Sequence, residues 1–350
     1  MSLRVVTHAA LLGHDPGEEH PECPRRLVAV LHELASAADI SVEEVDRVAT
    51  LEELSAVHDP AYVTRVLGLS GGGALDHETF LSVGSVEAAR RAAGIVIGAV
   101  EALAAAGTGT TFALVRPPGH HASASAGMGY CVFNNAAIGA RRALEIGVER
   151  VAILDWDAHA GNGTQALLGH RSDVMIIDVH QDGLFPRGAG RVDERGTGDG
   201  LWHTVNAPLA AQSGDADYVH VLDTLAAPLL RRFAPGLIIV SAGFDAHWTD
   251  PHAQLGVTTD GFGVMAARIR ALAAELGAPA LLVLEGGYDA AALGRNVRRC
   301  VEVLAGMRDG GSIEGHPSEE VRSIVAEQLA AMVGRVAERT GAEPGGPHAR

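Results

Sequence analysis

Five short apolar runs, at residues 111–115, 151–154, 174–177, 237–240 and 280–284, each give way to polar residues. The endings are His120/His121, Asp155/Asp157/His159, Asp178/His180, Asp245 and Tyr288. Longer stretches of helical pattern lie between the runs, at 136–146, 216–233 and 261–276, and another follows at 290–304. Short apolar strands alternating with helices argue for an α/β chain whose central, mainly parallel sheet is covered on both faces. In open sheets of that kind ligands bind outside the carboxyl ends of the strands. The five polar endings therefore fall on one rim, and that rim is where chemistry is expected.

The flanking chain is read more coarsely. Residues 3–7 read as a strand and 13–26 as a polar loop with three prolines. Helices are expected at 27–38, 60–67 and 86–106, with a Gly-rich loop over 71–85. Pro228 should kink or end the regular part of its helix. After a break at 309–317, a last helix is expected over 318–339, with Leu329, Met332 and Val333 on its apolar side, and then a frayed Gly/Pro-rich tail. Residues 1–308 are expected to form one catalytic domain, and 309–350 a C-terminal helix and flexible tail.

Composition excludes several functions. The net charge of −16 argues against a nucleic-acid partner and against an anionic membrane surface, but not against a cationic substrate. Residues 1–13 lack the charged-then-apolar pattern of a secretory signal. The apolar stretch 94–106 is too short to span a bilayer and contains Glu101. Cys23, Cys131 and Cys300 make neither a CxxC pair nor a disulfide framework. A protein of a reducing compartment, the cytoplasm, is expected.

On the rim, Asp155, Asp157 and His159 alternate along extended chain and so share a face. Buried carboxylates are costly unless paired or bound to metal. This stretch alone leaves two readings open: a metal site, or a polar turn whose carboxylates cap a helix starting near Asn162. With Asp245 added, two carboxylates and one imidazole match the three protein ligands of a catalytic zinc that keeps an open position. His120 and His121, stiffened by the preceding Pro-Pro-Gly, are candidates for the general base. Asp155 and Asn162 are suited to accept a hydrogen bond from a histidine ring N–H and fix its tautomer. Tyr288, after Glu-Gly-Gly, is placed to donate to a developing oxyanion, or else to serve as an ordinary core tyrosine.

Five motifs, Arg116-Pro-Pro-Gly-His-His121, Gly127-Met-Gly-Tyr-Cys-Val-Phe-Asn-Asn135, Leu154-Asp-Trp-Asp-Ala-His-Ala-Gly-Asn-Gly-Thr164, Ser241-Ala-Gly-Phe-Asp245 and Glu285-Gly-Gly-Tyr288, resemble those of the zinc-dependent histone deacetylase family. The resemblance covers about residues 20–304 and is greatest to bacterial class II deacetylase-like amidohydrolases, a branch that includes acetylpolyamine amidohydrolases. It implies a three-layer α/β/α arginase-deacetylase fold and removal of an acyl group from an amine. It makes Asp157, His159 and Asp245 the zinc ligands and His121 the principal base and acid, paired with Asn162. His120 becomes the electrostatic partner, paired with Asp155, and Tyr288 polarises the substrate carbonyl. The walls of the acyl-lysine tunnel fall on Tyr130 and Phe185, with the Gly129 carbonyl facing the substrate amide. A monovalent cation, usually potassium, is implied near Asp155, Asp178 and the main-chain carbonyls of Asp157, His159 and Val179.

Four positions depart from the family pattern. Ala160 replaces a histidine, which should alter only local packing. Tyr130 replaces the commoner phenylalanine. Asp178 stands where serine is frequent, an added charge that should tighten or alter cation binding. His252 stands where the eukaryotic polyamine enzyme has a glutamate gate; Glu18, Glu19, Asp76 and Glu78 on rim loops are candidates to replace that charge. The competing readings are a manganese ureohydrolase of the arginase kind and a non-catalytic deacetylase-like binding protein. The substrate is expected to be an acyl-lysine side chain, a polyamine or another small linear amide. A homo-oligomer joined through loops 13–22 and 71–85 is compatible with the sequence but not demanded by it.

Overall fold

The computed structural model describes residues 2–37 and 39–340. Its strands are β1 (Leu3–Thr7), β2 (Val42–Glu44), β3 (Gly73–Ala74), β4 (Phe80–Leu81), β5 (Thr110–Ala113), β6 (Val151–Asp155), β7 (Val174–Gln181), β8 (Thr204–Leu209), β9 (Leu237–Ala242) and β10 (Ala280–Leu284). Its helices are α1 (Arg25–Ala35), α2 (Leu51–Ser55), α3 (Pro60–Leu67), α4 (Ser85–Ala106), α5 (Asn135–Glu145), α6 (Asn162–Leu168), α7 (Asp215–Val221), α8 (Ala227–Phe233), α9 (Thr259–Leu276), α10 (Ala290–Leu304) and α11 (Glu319–Thr340).

Every residue of β5, β6, β9 and β10 is buried, as expected of strands covered on both faces. Eight strands form one sheet in the order β2-β1-β5-β10-β9-β6-β7-β8, and every pairing is parallel. With helices on both faces this is the three-layer α/β/α fold of the arginase-deacetylase kind. The four central neighbours β5, β10, β9 and β6 carry four of the five polar endings. Register places Asp155 opposite Ser241 on one side and opposite Asp178 on the other. Helix α1 turns Leu27, Val30 and Leu34 inward and packs on α10. Each such side chain contributes about 1.5–3 kcal/mol when fully buried.

Several sequence expectations need correction. Strand β7 continues past Ile177 to Gln181, so Asp178 and His180 lie within the ladder rather than beyond it. Its extra length is paired by the edge strand β8, which the sequence hides because Asn206 and Pro208 interrupt its apolar run. The loop expected over 13–26 is not simply solvated: His14, Glu22 and Arg26 are buried, and α1 runs from Arg25 to Ala35, starting two residues earlier than expected; residue 38, the expected end, lies outside the described residues. The Gly-rich loop contains the small antiparallel hairpin β3-β4.

Pro228 acts as expected, with a detail. Between α7 and α8 the chain widens into a π-helical turn over Leu222–Ala226. Pro228 lacks an N–H and crowds the carbonyl four residues back, and the wider turn makes room for it. Helix α11 docks on the edge strand: Val321 and Val325 are buried, and the Gln328 side-chain amide donates to the Asn206 carbonyl at 2.7 Å. The Val333 side chain and residues 341–350 lie outside the described residues. All three cysteines are buried and free. Among the described residues no helix is long and apolar enough to cross a membrane.

Candidate active site

Because β6 and β9 are neighbours, the loops at their carboxyl ends bring Asp157, His159 and Asp245 together. One ligand atom from each lies within 4.8 Å of the others. His159 Nδ1 is 3.2 Å from Asp157 Oδ1 and 2.9 Å from Asp245 Oδ2. Asp157 Oδ2 accepts from the Gly286 N–H at 2.8 Å, and Asp245 Oδ1 from the Ala158 N–H at 2.8 Å. Both carboxylates are fully buried. The space around them is kept by glycine: a Cβ on Gly243 would overlap the Asp157 carboxylate, and one on Gly286 would overlap that of Asp245. Two buried anions and an imidazole in such a cradle fit a divalent cation.

The histidine pair follows β5, across β10 from Asp245 and across β10 and β9 from Asp157 and His159. The rings of His120 and His121 are 4.0 Å apart, yet they are backed differently. His120 Nδ1 meets Asp155 Oδ2 at 3.1 Å, and His121 Nδ1 meets Asn162 Oδ1 at 2.7 Å. Burial opposes charge on His120, but Asp157 and Asp155 outweigh it and hold the ring well above the usual histidine range. Burial, His120 and His159 together push His121 well below it. One imidazole is thus poised to be charged and its neighbour to be neutral.

His121, His159, Tyr130, Phe185, Gly129, His252 and Tyr288 line one cavity of about 210 Å³, together with Glu78 and Leu184. Phe185 stands perpendicular to the His121 ring at 5.1 Å, and Tyr130 lies 5.6 Å from Tyr288. Gly129 and Tyr130 both have positive φ, +54° and +68°, which carries the chain tightly around the cavity wall. The Tyr130 hydroxyl is 3.5 Å from His252 Nε2. Burial pushes His252 down to about 4, with His159 and Arg26 adding to the effect, so the ring is neutral and able to accept. Of the four acidic residues expected to serve the mouth, Glu78 lines the cavity. Asp76 instead accepts the backbone N–H groups of Glu78 and Thr79, and Glu18 and Glu19 are exposed.

The corner assigned to a monovalent cation is tied together by the Gln181 N–H donating to the Ala158 carbonyl at 2.9 Å. Asp178 does more there than add charge. Its Oδ1 meets His180 Nδ1 at 2.7 Å, and its Oδ2 accepts from the Gly161 N–H and the Gln165 amide, both at 2.8 Å. Burial opposes a charged His180, but Asp178 prevails and raises its pKa, so the extra negative charge has an internal partner. Asp155 Oδ1 accepts from the Asp157 N–H at 3.1 Å.

Several residues that shape the site are given no role by the sequence alone. Arg26 donates to the carbonyls of Gly287 at 2.6 Å and Glu285 at 2.5 Å and is salt-bridged to Glu22 at 2.9 Å. Asp250 Oδ2 accepts from the Tyr288 N–H at 2.6 Å. Glu285 Oε2 accepts from the N–H groups of Gly119 at 2.6 Å and His120 at 3.2 Å. The available signal was the spacing of Glu22 and Arg26, four residues apart, with Arg26 in the first turn of α1 and Glu22 just before it.

Residues 20–304 match the family model described as the histone deacetylase domain. The chain is 38% identical over 307 residues to a histone deacetylase-like amidohydrolase of Pseudomonas aeruginosa, covering 87% of this chain and 80% of that protein. It is 39% identical over 292 residues to a probable deacetylase of Archaeoglobus fulgidus, covering 81% of each. Among solved structures, the HDA15 HD domain superposes with a TM-score of 0.89 at 32% identity, covering 96% of this chain and 97% of that one. An acetylpolyamine aminohydrolase from Burkholderia pseudomallei superposes with a TM-score of 0.78 at 32% identity, covering 88% and 100%.

Proposed function

The chain belongs to the histone deacetylase domain family, and on that premise we propose that it is a zinc-dependent amidohydrolase removing an acetyl or related acyl group from a linear amine. The observation that carries the reading is the unequal backing of the two histidines beside a three-ligand group. A zinc ion held by Asp157, His159 and Asp245 would supply Lewis acidity toward an amide carbonyl and acidify water. His121, neutral, is the group that accepts a proton from the attacking water and later returns it to the departing amine. Asn162 Oδ1 keeps the His121 proton on Nδ1 and leaves Nε2 free to accept. His120, held charged by Asp155 and Asp157, stabilises negative charge as it develops. Tyr288, whose hydroxyl burial holds in its protonated form, donates to the carbonyl oxygen. The Gly129 carbonyl accepts the substrate amide N–H.

The slot between Tyr130 and Phe185 admits an unbranched chain and excludes a bulky one. Glu78 at the lining and the net charge of −16 favour a cationic substrate, an effect that salt screens. Acyl-lysine and acylpolyamine amides are therefore the proposed substrate class. A potassium ion at the Asp155/Asp178 corner, with the main-chain carbonyls of Asp157, His159 and Val179, belongs to the same reading. Free buried thiols suit a reducing compartment such as the cytoplasm.

The test is a panel of acyl-lysine peptides, acetylated polyamines and anionic acetyl-amides, assayed with zinc-loaded protein at low and high salt. Linear cationic amides should be cleaved best at low salt, and linear hydroxamates should inhibit. Tyr288→Phe should keep its zinc while turnover falls by about 10²–10³, the usual cost of one oxyanion donor. Equal turnover of branched and linear amides, or an anionic substrate preferred at low salt, would overturn the substrate assignment.

A further inference from the structure

Beneath the His120–His121 turn lies a second group of metal-ligating side chains, His120, Cys131 and Glu285. One ligand atom from each lies within 4.8 Å of the others, and all three residues are buried. Their donors are not fully used. His120 Nδ1 is committed to Asp155, leaving Nε2. Cys131 Sγ accepts one hydrogen bond, from the His121 N–H at 3.4 Å, and keeps a lone pair free. Glu285 Oε2 holds two backbone N–H groups, whereas Oε1, fully buried, has no hydrogen-bond partner among the described residues. A buried carboxylate oxygen without a partner is costly and points to a missing ligand.

We propose that His120 Nε2, Cys131 Sγ and Glu285 form a second divalent-metal site, of lower affinity than the first and inhibitory when filled. One nitrogen, one thiolate sulfur and one carboxylate oxygen make a borderline-soft set, suited to zinc or cobalt with an open fourth position. An incoming ion must displace the proton that the charged His120 ring carries on Nε2 and the thiol proton of Cys131, along with any proton on Glu285, and release them to solvent. The first site offers two buried carboxylates, Asp157 and Asp245, against one here, so it fills first. The first site is close, with His120 Nε2 3.8 Å from Asp157 Oδ1. A metal on His120 takes away the charged imidazole that the reaction uses, so a second equivalent stops turnover without displacing the first. This consequence rests on the reading of His120 proposed above; the existence of the site does not.

The experiment is a titration of chelator-stripped full-length protein with zinc, followed by activity, and with cobalt, followed by absorption. In the native protein activity should rise with the first equivalent and fall with the second by about 10²-fold or more, the usual cost of losing one group that stabilises developing charge. A thiolate-to-cobalt charge-transfer band should grow only with the second equivalent. Cys131→Ser keeps an acceptor for the His121 N–H, so it should bind the first equivalent and stay active at excess metal, without the band. Should that variant misfold, Glu285→Gln, of the same shape and uncharged, should still need more cobalt to develop the band. A stoichiometry of one with no band overturns the site, as does an inhibitory second equivalent that survives Cys131→Ser. If instead the first equivalent brings no amidase activity with any acyl-amine, the family-based reading fails, and the band still decides the second site.

Discussion

The guanidinium of Arg26 lies 4.9 Å from the ring centroid of Tyr288 and at the same time donates to the main-chain carbonyls on either side of Gly286. Its remaining edge is salt-bridged to Glu22, which also holds Arg116 at 2.8 Å and His14 at 2.9 Å. A residue at the start of α1 thus fixes the loop that presents the proposed oxyanion donor. Lysine is a point charge and cannot reproduce that fork. Arg26→Lys should retain fold and metal but lose at least about tenfold in kcat, with a smaller change in KM, as expected when a transition-state donor is misplaced. Arg26→Ala should instead destabilise the protein by about 3–5 kcal/mol, because Glu22 is left buried with one partner fewer. Steady-state kinetics with metal analysis on Arg26→Lys check the first claim. Unchanged kcat would mean that Asp250, through the Tyr288 N–H, suffices to place the loop.

Gly129 sits on the cavity wall between His121 and Phe185. A Cβ there would lie 2.5 Å from His121 Cδ2 and 2.7 Å from Phe185 Cε1, on a backbone of positive φ. Gly129→Ala should therefore displace one wall or the base. Metal content and melting temperature should change little, while kcat/KM falls by about 10² or more, in line with the cost of small misplacements at a reacting centre. Near-normal kcat/KM for a linear substrate would show that the chain does not pass between Gly129 and Phe185.

Removing metal should cost stability as well as activity. Asp157 and Asp245 are buried anions that a cation neutralises, and the ion binds the folded chain alone. At free metal about a thousandfold above Kd this linkage is worth roughly 4 kcal/mol. Chelation should lower the melting temperature, and zinc should restore it together with activity. Asp245→Ala should show neither response. A melting temperature indifferent to chelator in protein shown by elemental analysis to have lost its metal would contradict the ligand assignment.

Much of the site was legible because its residues come in order along apolar strands. Asp155, Asp157, His159, Asp245 and Tyr288 follow runs whose length and β-branching mark buried parallel strands, and parallel strands put such endings on one rim. What the sequence could not reveal is long-range pairing. Glu22 and Arg26 look like ordinary loop and helix-surface charges until α1 is folded against the 285–288 loop, some 260 positions away. That Asp178 also pairs with His180 becomes visible only once β7 is seen to continue through both residues, which puts them on one face of the strand. Strand β8 was invisible because its alternation is broken by Asn206 and Pro208, tolerable only at a sheet edge.

His58 sets a pH dependence that can be isolated. Its Nδ1 faces the Ser123 carbonyl at 2.8 Å, and its Nε2 accepts from the Asn134 N–H at 2.9 Å. Asn134 caps α5 through Ala137 and also ties down the Ala122 carbonyl, just past the histidine pair. With Nδ1 donating, Nε2 must keep its lone pair, so a second proton would set N–H against N–H. Burial accordingly pushes His58 down to about 4, only partly opposed by the Ser123 and Ala124 carbonyls. The unfolded chain binds this proton near pH 6.5, so between roughly pH 6.5 and 4 it holds more protons than the folded one. Stability should therefore fall as pH drops through that window, by up to about 3 kcal/mol from this residue. Asp250 and Glu285, each raised to about 7 first of all by burial, act in the opposite sense, since their folded pKa values exceed the unfolded ones. A raw pH profile mixes these contributions, and only the difference from a His58 variant separates them. Denaturant unfolding of metal-free native protein and of His58→Gln should be compared from about pH 7.5 to 4. The stability gap between them should narrow toward acid by as much as about 3 kcal/mol. A gap that stays constant across the window would mean that His58 takes up its proton in the folded state, and that its hydrogen bonds to Ser123 and Asn134 do not hold it neutral.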